Sequence, residues 1–517
     1  MLECTFNFCE SDLYNLNVKW IDILLIFKLP VASKDQNISP SDVSVLFLLH
    51  LCISYLLHLS SNFYQKRGNN QHYILMDFNV GITNDENSCL ARMPVCKNFY
   101  TWDESIMEVP IDTGDTAWMM VATGLVLLMT PALGFFEAGL IRGKNSLSVM
   151  MQTFSGLAIL SVLWFLIGFT LVFSPSVGGI IGGLQWAFFN EVPFDSALDY
   201  APSIPGVTFA TFQMMFAVIT PLLITGAFAE RVKFSGFVIF IVAWSFVVYF
   251  PLAHWVWGGG WLANLGVYDF AGGIVIHTSA GLASIAAALV LGRRKNFGPD
   301  IMVPHNIPLA VLGASLLWIG WFGFNAGSAL ASGSLAANAF LVTQIGAVTS
   351  AVVWILLSWK RSKKPSTTAA INGAICGLAG VTPAAGFITA QSSFFLGIVL
   401  GFASYFGILL IKERLKIDDA LDVSSVHGIT GIIGAIAIGF VATTLVNPAG
   451  PDGLLYGNAI QLAIQALGVA VAAALAFVGT IVILKVIDKT IGLRVTEVEE
   501  DIGLDIAQHA ERAYVEQ

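Results

Sequence analysis

Two histidines, His277 and His427, lie inside long apolar segments of this 517-residue chain, in the stretches DFAGGIVIHTSAG and DVSSVHGITG. Ionisable side chains are costly inside a membrane, so a residue of this kind carries a functional hypothesis by default. Two neutral imidazoles, one donating and one accepting, can share a proton between them. The two histidines therefore predict proton chemistry in an apolar environment, provided that the fold brings the rings together.

The spacing of the nearby aspartates predicts similar depths for the two histidines. His277 follows Asp269 by eight residues and His427 follows Asp422 by five, which places the rings roughly 12 Å and roughly 8–10 Å along their helices. Five predicted spans separate them, as in an inverted repeat with its site between the halves. Two alternatives stay open: unrelated buried histidines bonded to local carbonyls, or a metal site, for which the ligands are too few.

A second group of residues could bind a cation without a carboxylate. Trp257 lies in HWVWGGGW, Phe324 and Ser328 lie in WFGFNAGSA, and Phe216 lies one or two turns into another apolar segment. All four are predicted near the same membrane surface. Ring faces hold a desolvated cation by about 2 kcal/mol, and a hydroxyl adds an acceptor. The alternative is an interfacial aromatic belt, which is the better interpretation for the other tryptophans of HWVWGGGW.

The elements that must position these residues are membrane-spanning helices. The chain is 56% hydrophobic and only 11% charged, whereas soluble domains are about 25% charged. Apolar stretches of roughly 20 residues, long enough to cross a membrane, recur from Thr116 onward. The eleven predicted spans are 116–140, 152–173, 209–229, 234–253, 270–292, 307–329, 336–358, 368–388, 393–411, 425–446 and 459–485.

The basic residues test that count and predict an orientation. Beyond residue 105, every cluster of Lys and Arg follows an odd-numbered span, and the breaks after even-numbered spans contain none. Because positive charge concentrates on the cytoplasmic side, the first span should begin outside and the C-terminus should lie inside. No Lys or Arg lies deep within a predicted span, which excludes a retinal Schiff base and an arginine-rich voltage sensor.

Residues 1–105 have a different composition from the rest of the chain. They contain five of the six cysteines but only two of the 49 glycines, with one apolar run at 43–59. We expect an atypical N-terminal extension outside the working core, with Met107 as a candidate start. An extra membrane segment or an uncleaved signal is the alternative, although no clean signal peptide is visible.

Extended motifs resemble the ammonium transporter family (Amt/Mep/Rh), and bacterial and archaeal Amt more than Rh. They are GLIRGKN, QMMFAVITPLLITGAFAERVKFS, HWVWGGGW, DFAGGIVIHTSAG, WIGWFGFNAGSA and DVSSVHGITGIIG, and the resemblance covers residues 112–517. It implies an all-α fold of eleven transmembrane helices, an inverted five-plus-five repeat and a final helix. It also implies a membrane domain at 112–485 and a cytoplasmic tail at 486–517.

The resemblance also implies roles for individual residues. Trp257, Ser328 and Phe216 resemble the external ammonium-binding site, Phe216 and Phe324 the stacked gate below it, and His277 and His427 the paired pore histidines. Asp269 resembles the buried aspartate that orients the site. The sequence departs from the family at Glu137, where many relatives carry Tyr or an uncharged residue, and at Ala510, where Gly is usual. For Glu137 and Glu230, helix capping or pairing with Arg142 and Arg231 is the favoured role.

The expected function is transport of ammonium, or of ammonia after deprotonation, through an apolar pore with paired histidines in the plasma membrane. The expected partners are ammonium and ammonia, with methylammonium as a further candidate, two more copies in a homotrimer, and a PII signalling protein at the tail. No cofactor, metal or nucleic acid is expected. An ammonium sensor with the same fold is the alternative, and an enzyme ranks last.

Overall fold

A computed structural model describes residues 110–514, apart from residue 296 and residues 299–302. The predictions for the N-terminal extension at 1–105, its apolar run and Met107 lie outside the described residues. The described chain is a bundle of long helices, and the helices that correspond to the predicted spans are α1 (Thr113–Leu140), α2 (Gly143–Phe173), α3 (Gly206–Phe228), α4 (Phe234–Asn264), α5 (Gly273–Leu291), α6 (Ile307–Gly327), α7 (Ser334–Ser362), α8 (Thr367–Val381), α9 (Ala390–Arg414), α10 (Ser424–Val441) and α11 (Ile460–Thr490).

Ten of these helices in the described part of the chain are long and apolar enough to cross a membrane. The exception is α8, which has 15 residues and continues into a short turn at Thr382–Ala384. Fifteen residues rise about 22 Å, less than the ~30 Å of a hydrocarbon core. The all-helical membrane fold is therefore confirmed, whereas the count of eleven spans stays a prediction.

In the part of the chain that the structure describes, the paired strands lie between α2 and α3. Strand β1 (Ser176–Val177) pairs antiparallel with β2 (Ile181–Gly182), and β3 (Ala197–Leu198) pairs antiparallel with β4 (Ala201–Pro205). In the first pair, Ser176 lies opposite Gly182. These short strands belong to the loop between α2 and α3.

Helices α5 and α10 cross with their backbones in direct contact. A Cβ atom added to Gly281 would lie 2.1 Å from the Cα of Gly428, and one added to Gly431 would lie 2.8 Å from the Cβ of His277. Small residues permit this close approach between membrane helices. The crossing places the early turns of both helices, each carrying one histidine, side by side.

Both of these helices begin with a widened π-helical turn, at Gly273–Thr278 in α5 and at Ser424–Ile429 in α10. Each of the two turns contains one of the predicted histidines. Single π-helical turns inside helices are uncommon and frequently occur at functional sites. Their matched positions in α5 and α10 agree with the predicted repeat of five plus five helices.

The C-terminal segment folds back onto one end of the bundle. It forms α12 (Glu497–Ile502) and α13 (Leu504–His509). The backbone N–H of Leu504 donates to Asn145 Oδ1 at 2.8 Å, and Asp505 Oδ1 accepts from the N–H of Ser148 at 2.8 Å. The segment is therefore bonded to the start of α2, at the end of the bundle that carries the basic residues.

Candidate functional site

His277 and His427 lie in contact at the centre of the bundle. Their Nδ1 atoms are 3.2 Å apart, and the ring planes are inclined by 22°. Both side chains are buried, and Nε2 of His277 has no hydrogen-bond partner among the described residues. The pairing predicted from the sequence is thus present in the geometry.

The contact between the two Nδ1 atoms dictates the protonation of the rings. A hydrogen bond between them needs one hydrogen, so one neutral ring is protonated at Nδ1 and the other at Nε2. One Nε2 atom is then an acceptor and the other is a donor. Since two imidazolium rings would bring two Nδ1–H groups together, the two rings cannot both be cationic in this arrangement.

The histidines line a narrow space that we call the central cavity, with a volume of about 20 Å³. That volume accommodates a molecule the size of water. Apart from the histidines, its described lining is apolar: Met129, Leu133, Phe136, Ile219, Leu223, Leu317, Trp321, Phe324 and Ile375. Nε1 of Trp321 donates to Thr382 Oγ1 at 2.9 Å, so that indole offers the cavity only its ring. Polar chemistry in this space falls to the two imidazoles.

A larger aromatic vestibule, of about 330 Å³, lies above the central cavity and contains Trp257, Phe216, Ser328 and Asp269 in its wall. The rings of Phe216 and Trp257 meet edge to face at 6.3 Å. Ser328 Oγ donates to the carbonyl of Phe324 at 2.9 Å, which leaves its lone pairs available to a cationic donor. The described lining contains no Lys or Arg, so no fixed positive charge opposes a cation there.

Phe216 and Phe324 separate the aromatic vestibule from the histidines. Their ring centroids are 4.4 Å apart, and both side chains are almost completely buried. Phe324 also lies against His277, with centroids 6.0 Å apart and planes inclined by 21°. The four residues predicted to bind a cation therefore form a continuous column with the histidine pair. Of these four, Phe324 lines the central cavity.

Asp269 caps the helix that carries His277 and does not face the vestibule as a free charge. Its carboxylate accepts hydrogen bonds from four backbone N–H groups, those of Gly272, Gly273, Ile274 and Val275, at 2.7–3.0 Å. These amides open the helix and have no intrahelical acceptor. The turn requires a φ of +117° at Gly272, a conformation that favours glycine.

The backbone of Asp269 also fixes the vestibule. Trp257 Nε1 donates to its carbonyl oxygen at 2.8 Å. Asp269 thus connects the tryptophan ring to the start of the histidine helix. This geometry fits a positioning role for the residue.

Asp419 is the counterpart of Asp269 in α10, and the sequence interpretation missed it. Its Oδ2 accepts from the N–H and the hydroxyl of Ser424, at 2.7 and 2.6 Å. Nearness in sequence to His427 favours Asp422 for this place, but Asp422 instead forms an ion pair with Lys412 at 2.8 Å. The signal was present in the spacing, since Asp419 precedes His427 by the same eight residues that separate Asp269 from His277.

A third space, the basic vestibule, lies below the central cavity and has a volume of about 200 Å³. Its wall includes the apolar residues Leu140, Ile141 and Leu421 and the charged residues Arg142, Glu230, Arg294, Lys412 and Asp422. Successive residues of α1 line the central cavity and then this vestibule. The three spaces therefore follow one another along the bundle.

The charges of the basic vestibule are paired with each other. Glu230 bonds Arg142 Nε at 2.8 Å and Arg294 Nη1 at 2.7 Å, and Arg294 also bonds Asp418 at 2.7 Å. Burial would raise the pKa of Asp418, but the hydrogen bonds and charge of Arg294 outweigh it and hold that pKa below its ordinary value. The expected pairing of Glu230 is present with Arg142, whereas Arg231 donates to backbone carbonyls instead.

Comparisons with known proteins identify the family of the chain. Residues 117–514 match the family model described as Ammonium Transporter Family. The chain is 55% identical over 411 residues to Ammonium transporter 1 of Dictyostelium discoideum, covering 79% of this chain and 88% of the relative. It is 47% identical over 401 residues to the ammonium transporter of Bacillus subtilis, covering 78% and 98%.

The solved structures give the same result. The crystal structure of Candida albicans Mep2 superposes with a TM-score of 0.71 at 34% identity, covering 75% of this chain and 88% of that one. Family match, sequence identity and fold coincide over the bundle that holds the histidine pair. The chain belongs to the ammonium transporter family.

Proposed function

We propose that this multi-pass membrane protein transports ammonium, and that the column from Trp257 to the histidine pair is its path. The observation that carries the proposal is the Nδ1–Nδ1 contact of His277 and His427 in an otherwise apolar cavity. Membership of the family supports the substrate. The protein is a transporter and not an enzyme.

The aromatic vestibule recruits the cation. Trp257 and Phe216 offer ring faces and Ser328 offers hydroxyl lone pairs, and a desolvated cation gains about 2 kcal/mol from such rings. Methylammonium retains three N–H donors and fits the same chemistry. We assign this vestibule to the external surface, because the basic residues concentrate at the opposite end of the bundle.

The central cavity favours ammonia over its cation. Taking a charge out of water costs several kcal/mol in a protein interior, and the cavity provides two imidazoles but no carboxylate. We infer that ammonium loses its proton near Phe216 and crosses as ammonia, while His277 and His427 relay or organise protons. Potassium has no proton to lose and finds no set of oxygen ligands to replace its water.

Asp269 positions this site. By capping the start of α5 and holding the indole of Trp257, it keeps the vestibule and His277 in fixed relation. We propose that it acts through these contacts and does not touch the substrate.

The assembly follows from the family and is part of the proposal. We propose a homotrimer in the plasma membrane with one path in each subunit, an external start of α1 and a cytoplasmic tail at 486–517. The tail is the proposed docking region for a PII protein. Residues 1–105 are proposed to lie outside the transport domain at 112–485. Native mass spectrometry of the purified protein tests the trimer, since the expected mass is three times that of the chain.

Currents from proteoliposomes on solid-supported membranes test the function. Purified protein should give a saturable current on ammonium pulses that protein-free liposomes and potassium pulses do not give, and His277→Ala combined with His427→Ala should abolish it. Saturable ammonium binding by the wild type without any flux would refute transport and favour the sensor alternative. The variant must elute as the same oligomer as the wild type for the comparison to count.

A further inference from the structure

Glu137 is a buried carboxyl group of α1 that forms no ion pair in the described part of the chain. Its residue is 2% exposed, and no Lys or Arg of that part lies within 4.0 Å of its oxygens. The expected pairing with a nearby arginine is therefore wrong for this residue, because Arg142 bonds Glu230 instead. Buried ionisable groups without a partner in membrane helices call for a functional explanation.

The contacts of Thr225 suit a Glu137 carboxyl group that carries a proton. Thr225 Oγ1 lies 2.9 and 3.0 Å from the two carboxyl oxygens, and 2.5 Å from the carbonyl oxygen of Leu222. A hydroxyl has one hydrogen, and the shortest contact is with a carbonyl, which only accepts. With that hydrogen on Leu222, the contact with Glu137 is satisfied when the carboxyl group itself donates to Thr225.

Glu137 lies on α1 between the levels of the central cavity and the basic vestibule. On α1, Leu133 lines the central cavity and Leu140 lines the basic vestibule, and Glu137 is four residues after the first and three before the second. Residues at these spacings share a helix face. Glu137 therefore lies on the same face of α1, between a residue that lines the central cavity and one that lines the basic vestibule.

The neighbouring segment at Gly226 lies beside Glu137. A Cβ atom added to Gly226 would lie 3.0 Å from Glu137 Oε1, 2.7 Å from Val423 Cγ2 and 3.3 Å from Leu421 Cβ. Because Gly226 has no side chain, the Glu137 carboxyl group can approach the segment at Leu421 and Val423, which leads into α10. The next turn of that helix carries His427.

Most other charged groups at this end are ion-paired. Asp419, which is buried without an ion pair among the described residues, instead accepts hydrogen bonds from Ser424. Lys412 pairs with Asp422, and Glu230 with Arg142 and Arg294. A carboxylate held by a guanidinium or ammonium group exchanges protons poorly, since the cation stabilises its charged form. Glu137 likewise lacks a cationic partner among the described residues, and its side-chain contact is with the Thr225 hydroxyl.

We propose that Glu137 is a proton-exchange residue that returns a proton to ammonia as it leaves the histidine pair. The inference rests on the proposed transport function. The Glu137 carboxyl O–H bond breaks and an N–H bond forms, so carboxylic acid and ammonia become carboxylate and ammonium. A proton released at the aromatic vestibule and relayed through His277 and His427 then restores the carboxylic acid. One ammonium ion enters the path, one leaves, and one positive charge crosses.

Two measurements on full-length protein in proteoliposomes test this proposal. Ammonium-evoked current on solid-supported membranes reports charge movement, and a lumenal pH dye in stopped flow reports ammonia entry. Glu137→Gln preserves the size and both hydrogen-bonding atoms but cannot exchange a proton. Since positioned acid–base groups contribute roughly 10²–10⁴-fold, we expect its current to fall at least about tenfold. Ammonia that then crosses without its proton should raise the lumenal pH faster than in the wild type, in which each ammonia leaves the path with a proton. Glu137→Asp, which keeps the carboxyl group, should recover part of the current.

The possible outcomes separate this inference from the function on which it rests. A wild-type current in Glu137→Gln overturns the inference. A loss of current without any faster rise in lumenal pH, in correctly assembled protein, also overturns it and indicates a structural role. Ammonia entry without current in the wild type also overturns it and leaves transport intact. Neither signal in the wild type refutes the proposed function itself.

Discussion

Gly281→Ala tests whether the contact of the two histidines depends on the close crossing of α5 and α10. The new Cβ would lie 2.1 Å from the Cα of Gly428 and 2.3 Å from its nitrogen. Carbon atoms pack at about 3.5 Å or more, so the helices must separate locally by about 3.5 − 2.1 = 1.4 Å. The obstructing atoms are backbone, which cannot move aside by a rotamer change.

The consequence for the site follows from the Nδ1–Nδ1 distance of 3.2 Å between His277 and His427. If half of the separation is taken up along that contact, the distance becomes about 3.9 Å, too long for a hydrogen bond. Overpacking in a close-packed interior costs about 1–3 kcal/mol. We therefore expect Gly281→Ala to lower the melting temperature and to abolish the ammonium-evoked current.

A matched substitution isolates the clash. Gly124→Ala makes the same chemical change in α1, where the added Cβ meets no atom within 4 Å, and alanine favours helix by up to about 1 kcal/mol over glycine. Its current and melting temperature should equal or exceed those of the wild type. Wild-type current and stability in Gly281→Ala would refute the reasoning that the backbone crossing sets the histidine pair.

Two further predictions concern the ends of the path. Trp257→Leu removes a ring face from the aromatic vestibule and should cost about 1–2 kcal/mol of cation binding. The half-saturating ammonium concentration, measured from current against concentration, should therefore rise roughly 5- to 30-fold. An unchanged value would exclude the ring from recruitment. At the basic vestibule, burial would raise the pKa of Asp418 and of Glu230, but Arg294 outweighs it and holds both below their ordinary values of 3.8 and 4.5. Their contribution to stability is present above those values and is lost as the pH falls through the lowered ones, so the melting temperature in detergent should fall steeply below about pH 4. Asp418→Asn should melt lower at pH 7 and show a flatter acid limb, and an equally steep limb would contradict the assignment.

The arrangement of the helices was largely predictable because hydropathy and basic clusters report on the same membrane boundary. The prediction erred where helices extend beyond the apolar part. Helix α2 begins at Gly143 and not at residue 152, because polar residues such as Lys144 and Ser146 continue the helix outside the apolar stretch. Helix α8 ends earlier than predicted, at Val381, because the chain turns at Thr382–Ala384.

Site residues were predictable where the residue type and its depth in a predicted membrane span were enough to single it out, as for His277 and His427. Their 3.2 Å contact was not, since it depends on glycines of α5 and α10 that hydropathy does not distinguish from other small residues. Asp422 was chosen over Asp419 because it lies nearer to the histidine in sequence, yet a helix is capped by the residue whose side chain reaches the first free amides. The partner of Glu137 depends on the packing of α1 against α3, which sequence spacing does not encode.

Because a single hydrogen lies between the two imidazoles, the pair has two tautomeric arrangements. When a proton arrives at one outer nitrogen and another leaves from the opposite ring, the shared hydrogen crosses between the Nδ1 atoms and both rings exchange tautomers. The Nε2 atom that was a donor is then an acceptor, and the other Nε2 atom has become a donor. A second proton can follow in the same direction only after this order is reversed. In the proposed mechanism protons would therefore cross one at a time, with a tautomer reset between them, and the cavity would not conduct protons continuously and dissipate the membrane potential.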